Sequence, residues 1–381
     1  MRYYLIAGEK SGDMHAGKLL QALQTCDQQV IARGIGGAHM QRAGVELIAH
    51  YQQLTLIGFN LLKLFHIFRS FLAVCKKDIL AFQPDAVILV DYAGFNLRIA
   101  KFAKAHQLKV FYYIPPKVWA WHSQRMHALK AYVDWIYTIL PFEKDFYQKH
   151  GVHHITYVGH PSVEDIEAYQ KNVSAPSLDN VTPHTIRIAL LPGSRPQEIK
   201  KILPTMLAIV SKLPTYQFLV SAISELPAAL YQQAQETPGV TLLYDQPYHI
   251  LSQASVAVVA SGTATLETAC LQIPQVVVYK TDPCTYWIAK HLLKVKHISL
   301  VNILAGKAIV PELIQHAFTP KQLLSTLEAI LQHPDVVAQQ RSNYQNIIPT
   351  LGNSNASLST AKHIYNHIQA IVPKENNSTT P

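Results

Sequence analysis

The chain has 381 residues, 49% of them apolar and 15% charged, with a formal net charge of +9 at neutral pH. That length exceeds what one compact core supports and points to two domains or more, and the composition excludes a disordered chain. The positive charge suits phosphorylated substrates, an anionic membrane surface or nucleic acid; with no run of five basic residues and no zinc-finger or basic-zipper pattern, nucleic acid is set aside.

The chain opens with a strand over 3–7, a polar Gly8–Asp13 loop and a helix over about 14–24, with Ser11 or Asp13 as its cap. The loop lacks G-x-G-x-x-G, so no nicotinamide site is expected, and no other cofactor is. Glu9, Ser11 and Asp13 together favour a substrate-facing loop over a plain tight turn. Short strands follow at 30–34 and 45–48. Leu54–Cys75 is apolar on all sides yet interrupted by Lys63, His66 and Arg69. It reads as a buried interdomain helix or as an interfacial element with Phe59, Leu61, Phe65 and Phe68 in lipid, and the net charge favours the second.

A strand over 85–90 delivers the loop Asp91–Asn96. Ligands of open α/β sheets bind at that end, so Asp91 stands where a general base belongs, although a helix cap would occupy the same place. Strands at 110–114, 134–140 and 156–158 continue the alternation, with a stiff aromatic loop, Pro115–Trp121, after the first. Lys171–His184 is rich in Asn, Ser, Pro and Asp and is the expected linker.

The alternation restarts beyond it. Ile188–Glu198 reads IALLPGSRPQE: a short apolar strand, a Gly-containing break, and Pro196 in the first turn of a helix. Backbone N–H groups and the helix dipole favour an anion there, and Arg195 adds a planar cation suited to phosphate. An ordinary βα turn with a surface arginine is the plain alternative. Strands at 216–221, 240–244, 256–259 and 275–279 follow. The fourth of this half's strands, 256–259, leads into Ser261-Gly262-Thr263, which can offer hydroxyl and N–H groups to an anion, with Glu267 one turn into the next helix. A last helix spans 355–371, and the polar tail 373–381 is expected to be disordered.

Both halves therefore predict parallel sheets with helices on both faces. The domains are expected at 1–172, completed by the C-terminal helix, and at 185–354. The four cysteines, Cys26, Cys75, Cys270 and Cys284, form no C-x-x-C pair and read as free thiols of a reducing compartment. The histidines show no ligand spacing, so no structural metal is expected. The N-terminal apolar run is too short for a secretory signal, and no stretch of eighteen apolar residues would span a membrane.

Eight stretches, AGEKSGD (7–13), VDYAGFN (90–96), PPKVWAW (115–121), LPFEKDFY (140–147), VGHP (158–161), LLPGSRPQEI (190–199), ASGTATLETA (260–269) and LVNILAGKAIVPELIQ (300–315), resemble in order those of the lipid-A-disaccharide synthase family. The resemblance implies a metal-independent inverting glycosyltransferase of GT-B type, two Rossmann-like domains facing each other across a cleft. Its substrates would be UDP-2,3-diacylglucosamine and 2,3-diacylglucosamine 1-phosphate, and its products UDP and a β-1,6-linked disaccharide phosphate. On this resemblance Gly193, Ser194 and Arg195 hold the diphosphate, and Glu267 takes the ribose beside Ser261, Gly262 and Thr263. Asn302 faces the donor or the acceptor phosphate, Asp91 is the base, and Glu9, Ser11 and Asp13 line the acceptor side. It also implies a cytoplasmic enzyme, peripheral on the inner membrane, with a homodimer left open. The chain departs from the family at Ala93 and Gly94, where proline and often a second acid are common, and at His15. A transferase or epimerase of the same fold with a soluble substrate, and a non-catalytic membrane-surface protein, are the competing readings.

Overall fold

The computed structural model describes residues 1–55, 61–120, 125–172, 186–283, 286–287, 296–352 and 355–370, without the side chains of 54–55 and 61–67. The chain divides into two compact units, residues 1–161 with the C-terminal helix Ala356–Gln369, and residues 162–352.

The first unit is built on seven parallel strands: β1 (Arg2–Ala7), β2 (Ile31–Gly36), β3 (Val45–His50), β4 (Ala86–Val90), β5 (Lys109–Tyr113), β6 (Trp135–Thr138) and β7 (Ile155–Tyr157), in the order β3-β2-β1-β4-β5-β6-β7. Parallel neighbours need a crossover, so helices cover both faces and the central strands are apolar without alternation. Along β1 and β4 the two faces separate with period two. Tyr4, Ile6, Val87 and Leu89 pack with Cys75 and Ile79. Tyr3, Leu5, Ile88 and Val90 pack with Leu19, Leu20 and Leu23 of the first helix (Lys10–Cys26) and with Ile364 and Ile368 of the C-terminal helix.

The second unit repeats the plan with six parallel strands: β8 (Arg187–Leu191), β9 (Gln217–Ala222), β10 (Val240–Tyr244), β11 (Val256–Ala260), β12 (Gln275–Tyr279) and β13 (Glu312–Ile314), in the order β10-β9-β8-β11-β12-β13. β13 is three residues long, too short to announce itself as a pattern.

Each sheet reverses its strand order once, between β1 and β4 in the first unit and between β8 and β11 in the second. The crossovers on either side of such a point leave to opposite faces, so the carboxyl ends of two adjacent strands stay open to a ligand.

Three expectations change. The unit boundary falls at Pro161/Ser162, ahead of the helix Pro161–Asn172, rather than after residue 172. The reason is that this helix bonds into the second unit: the Ser162 hydroxyl donates to Glu267 at 3.3 Å, and Tyr169 and Ser252 share a hydrogen bond of 3.1 Å. Most of the expected linker and all of the tail 373–381 lie outside the described residues.

The first helix begins at Lys10, so Ser11 and Asp13 belong to its first turn and neither is its cap, which is Glu9. Finally, the apolar segment continues into a long helix, Leu61–Phe82, whose described face is core. Leu72, Cys75, Ile79 and Phe82 are buried at i, i+3, i+7 and i+10, while Val74 and Leu80 on the other side are exposed. Phe68, expected to face lipid, packs edge-on against Phe95 with ring centroids 5.7 Å apart, under the Arg98 guanidinium. Phe59 lies outside the described residues, as do the side chains of Leu61 and Phe65.

Candidate active site

In the second unit the switch-point strands β8 and β11 end in Pro192–Arg195 and Ser261–Thr263. Gly193 takes a left-handed φ of +112°, and a Cβ there would stand 2.6 Å from Glu198 Oε2, so glycine is needed for both conformation and space. The helix Pro196–Leu207 follows at once, with Pro196 at its first position. The main-chain N–H groups of Ser194 and Arg195 do point to an anion, but that anion is the chain's own: both donate to Glu198 Oε2, at 3.1 and 3.3 Å. The Arg195 guanidinium, 62% exposed, stands 3.9 Å from the other oxygen of the same carboxylate. Glu198 has no assigned role in the sequence reading, yet an acid three residues after a helix cap is the known sequence signal for such a reciprocal contact.

The β11 loop is held differently. Ser261 donates its hydroxyl to the Ile298 carbonyl at 2.8 Å, so its hydrogen is engaged within the protein and only its oxygen can still accept. Among the described residues, chain neighbours aside, no atom lies within 4 Å of where a Cβ at Gly262 would stand, which leaves that edge open. Thr263 precedes the helix Ala264–Cys270 without a side-chain capping bond. Within that helix Glu267 accepts from the Ser162 hydroxyl and from the Tyr248 hydroxyl, at 3.3 and 3.4 Å. Burial pushes its carboxyl up to about 6, against these two donors, which pull it down. Ser162 and Tyr248 lie 105 and 19 residues away in sequence, and no local pattern marks them.

Asn302, expected to face a ligand phosphate, turns its side chain into the protein. It is fully buried: its amide group donates to the Val310 carbonyl and to Glu312, and its oxygen accepts from the Ile309 and Val310 N–H groups, all between 2.7 and 3.0 Å. It ties the helix Leu300–Ala305 to the approach of β13, while Glu312 also accepts from the main chain of Ile298 and Ser299. Its effect on the site runs through Ile298, the partner of Ser261.

In the first unit the switch-point strands β1 and β4 end in Gly8–Glu9 and Asp91–Tyr92. Asp91 and Tyr92 are consecutive non-glycine residues in the left-handed region, with φ of +49° and +45°. Such a conformation costs an L-residue roughly 1–2 kcal/mol, and strain of this kind gathers at functional positions. The Asp91 main chain is pinned: its carbonyl accepts from the Tyr112 hydroxyl at 2.6 Å and from the Asn96 amide at 2.8 Å, and its N–H donates to the Tyr113 carbonyl at 3.3 Å. The helix Ala93–Ala105 starts directly afterwards, capped by Tyr92, so Asp91 is not its cap. Ala93 occupies the first helical position, where proline is favoured because its N–H is not needed. The departure from the family at this position therefore leaves the turn intact. A side chain at Gly94 would likewise meet nothing within 4 Å.

Glu9 and Ser11 remain at the surface of this edge, but Asp13 does not, being 1% exposed. Its oxygens accept the N–H groups of Gly37, His39 and Met40 at 2.6, 3.0 and 3.1 Å, closing the start of the helix Ala38–Arg42. The expected acceptor-side role gives way to a structural one. Trp119, in the aromatic loop, packs across Phe142 and donates to the buried Glu143 at 2.9 Å, so it too is structural.

The family description Lipid-A-disaccharide synthetase matches residues 3–365. The lipid-A-disaccharide synthase of Syntrophus aciditrophicus is 38% identical over 341 residues, covering 87% of this chain and 88% of its own. That of Coxiella burnetii is 34% identical over 382 residues, covering 96% and 98%. The chain belongs to the lipid-A-disaccharide synthase family. It is accordingly a glycosyltransferase, and the family's activity is formation of the lipid A disaccharide. Solved structures agree on the fold. A UDP-GlcNAc 2-epimerase from Neisseria meningitidis bound to UDP-GlcNAc covers 96% of this chain over its whole length, with a TM-score of 0.59 at 12% identity. A calicheamicin glycosyltransferase covers 98% with 99% of its own length, with a TM-score of 0.61 at 11% identity. At that identity they establish the GT-B architecture of two parallel-sheet α/β domains and nothing of the chemistry. Among the described residues no helix is long and apolar enough to cross a membrane.

Proposed function

We propose that the chain transfers a 2,3-diacylglucosaminyl group from its UDP derivative to the 6-hydroxyl of 2,3-diacylglucosamine 1-phosphate, with inversion, releasing UDP. The observation that carries this reading is positional. The loops expected to act, 8–9 and 91–92 in one unit and 192–195 and 261–263 in the other, are the pairs at the two switch points.

In this reading the donor lies on the second unit. Its diphosphate displaces the Glu198 carboxylate from the Ser194 and Arg195 N–H groups and draws the Arg195 guanidinium to itself. These groups then stabilise the charge that develops on the leaving UDP. Glu267, with donors from Ser162 and Tyr248, takes the ribose hydroxyls as acceptors of their hydrogen bonds. The acceptor lies on the first unit, beside Glu9 and Ser11. Asp91 removes the proton of the attacking hydroxyl as the new C–O bond forms and the bond to UDP breaks.

The acyl chains of both substrates and the net charge of +9 support work at the cytoplasmic face of the inner membrane. Because Phe68 is packed against Phe95, the membrane test is Phe59, Leu61 and Phe65 changed together to Ser. Vesicle sedimentation should then fall while the circular dichroism spectrum holds.

The purified chain with both substrates should release one UDP per disaccharide and should release none without the acceptor. Sugar epimerisation without an acceptor would support the runner-up instead.

A further inference from the structure

The left-handed turn at Asp91–Tyr92 is strained, and something must hold it. The Asp91 main chain is pinned from Tyr112 and Tyr113 on β5 and from Asn96 in the following helix. On the β1 side the Tyr92 side chain lies against Gly8. A Cβ built on Gly8 would stand 2.2 Å from Tyr92 Cγ and 2.3 Å from Cδ1, so the tyrosine ring rests directly on the glycine main chain. The φ of Gly8 is not left-handed, so the demand for glycine here is one of space, set first by the Tyr92 ring. The other side of the ring lies near Phe95, with centroids 6.0 Å apart and planes 30° from parallel. Burial and the nearby Glu9 carboxylate both hold the Tyr92 hydroxyl in its protonated form. The ring thus bridges the carboxyl ends of β1 and β4, across the switch point of the sheet.

We propose that Tyr92 is a positioning residue for Asp91: its ring, seated on Gly8, locks the left-handed turn that presents the Asp91 carboxylate to the acceptor hydroxyl. The inference rests on the reading of Asp91 as the base. It assigns the work to the ring and not to the hydroxyl, and it makes Gly8 and Tyr92 a single device. Small misplacements of a catalytic group cost on the order of 10²-fold in rate, so the lock has a measurable output in turnover.

The experiment is a set of variants assayed for turnover, UDP affinity and melting temperature. Tyr92→Phe keeps the ring and should stay within about twofold of wild-type turnover. Tyr92→Ala and Gly8→Ala should each lower kcat by roughly tenfold or more, with UDP affinity unchanged. The paired variant Gly8→Ala/Tyr92→Ala should be no worse than Tyr92→Ala, because the ring atoms that the added methyl strikes first are then gone. In an Asp91→Asn background Tyr92→Ala should lower turnover no further, a result that a general loss of packing would not give. Multiplying losses in either pairing overturns the proposal, and so does a Tyr92→Phe variant as slow as Tyr92→Ala. If Tyr92→Ala fails to fold, Tyr92→Leu takes its place in the same comparisons. Near-normal turnover of Asp91→Asn alone would remove the base reading itself. A slow Asp91→Asn beside a normal Tyr92→Ala would remove only the positioning role.

Discussion

The first βα turns of the two units solve one problem in two ways. Each brings a carboxylate to main-chain N–H groups at the start of a helix. In the first unit Asp13 reaches 24 to 27 residues along the chain, accepts three N–H groups and is 1% exposed. In the second, Glu198 turns back by three and four residues onto two N–H groups, with its side chain 21% exposed. The distant, buried carboxylate is a permanent part of the fold and closes its anion site. The local, partly exposed one is, in the proposed function, free to swing away and leave its site to a phosphate. Sequence motifs rich in Gly, Ser and acid look alike at both places; burial decides which is scaffold and which is exchangeable.

Removing the two carboxylates tests that contrast most severely. Asp13→Ala orphans three N–H groups, each contributing a penalty of roughly 1–3 kcal/mol, so the loss of stability should be on the order of 3 kcal/mol or more. Glu198→Ala leaves its donors to water and should change stability by about 1 kcal/mol at most. Equal shifts in urea midpoint would break the comparison.

Next in size is Arg195→Ala. A charge-assisted contact contributes roughly 1.5–3 kcal/mol, so UDP affinity by calorimetry should fall tenfold or more while the melting temperature holds. Unchanged affinity would leave Arg195 an ordinary surface residue.

A pH-dependent effect follows from Glu267, whose carboxyl burial raises from 4.5 to about 6. A folded value above the unfolded one means the protonated form is favoured on folding; that stability is present below about pH 4.5 and lost as pH rises through 6. Glu267→Gln cannot lose it, so its advantage over wild type should grow from near zero at about pH 4.5 to roughly 2 kcal/mol above pH 7. A stability difference that does not vary with pH contradicts the account.

The smallest effect belongs to Gly262→Ala. With no atom of the described residues beyond the chain neighbours near the new methyl, stability should stay within about 0.5 kcal/mol of wild type. Weakened UDP binding in this stable variant would mark the open edge as donor space.

Much of the architecture was legible because parallel strands are unbroken apolar runs between turn residues, as at Ala86–Val90 and Val256–Ala260. Residues whose roles depend on distant partners were not. Asp13 reads as a site residue from its polar loop and Asn302 from the family resemblance alone, and both cap or brace main chain that their own neighbourhood does not reveal. Phe68 reads as lipid-facing because a helix apolar on all sides does not say which side meets the core; Phe95 does. The boundary shifted for the same reason, since Ser162 and Tyr169 find their partners in the second unit. Asp91 was found by its place at a strand end, but the strained turn that carries it has no sequence signature beyond Gly8 and Tyr92, which lie 84 positions apart.

The division of labour between the units is tested most directly by one variant, Asp91→Asn, assayed for turnover with both acylated substrates and for UDP binding by calorimetry. Asparagine keeps the shape of the side chain and loses the base. The account predicts turnover lower by about 10²–10⁴, with UDP affinity and melting temperature as in wild type. Near-normal turnover, or a loss of UDP affinity that matches the loss of rate, would contradict it.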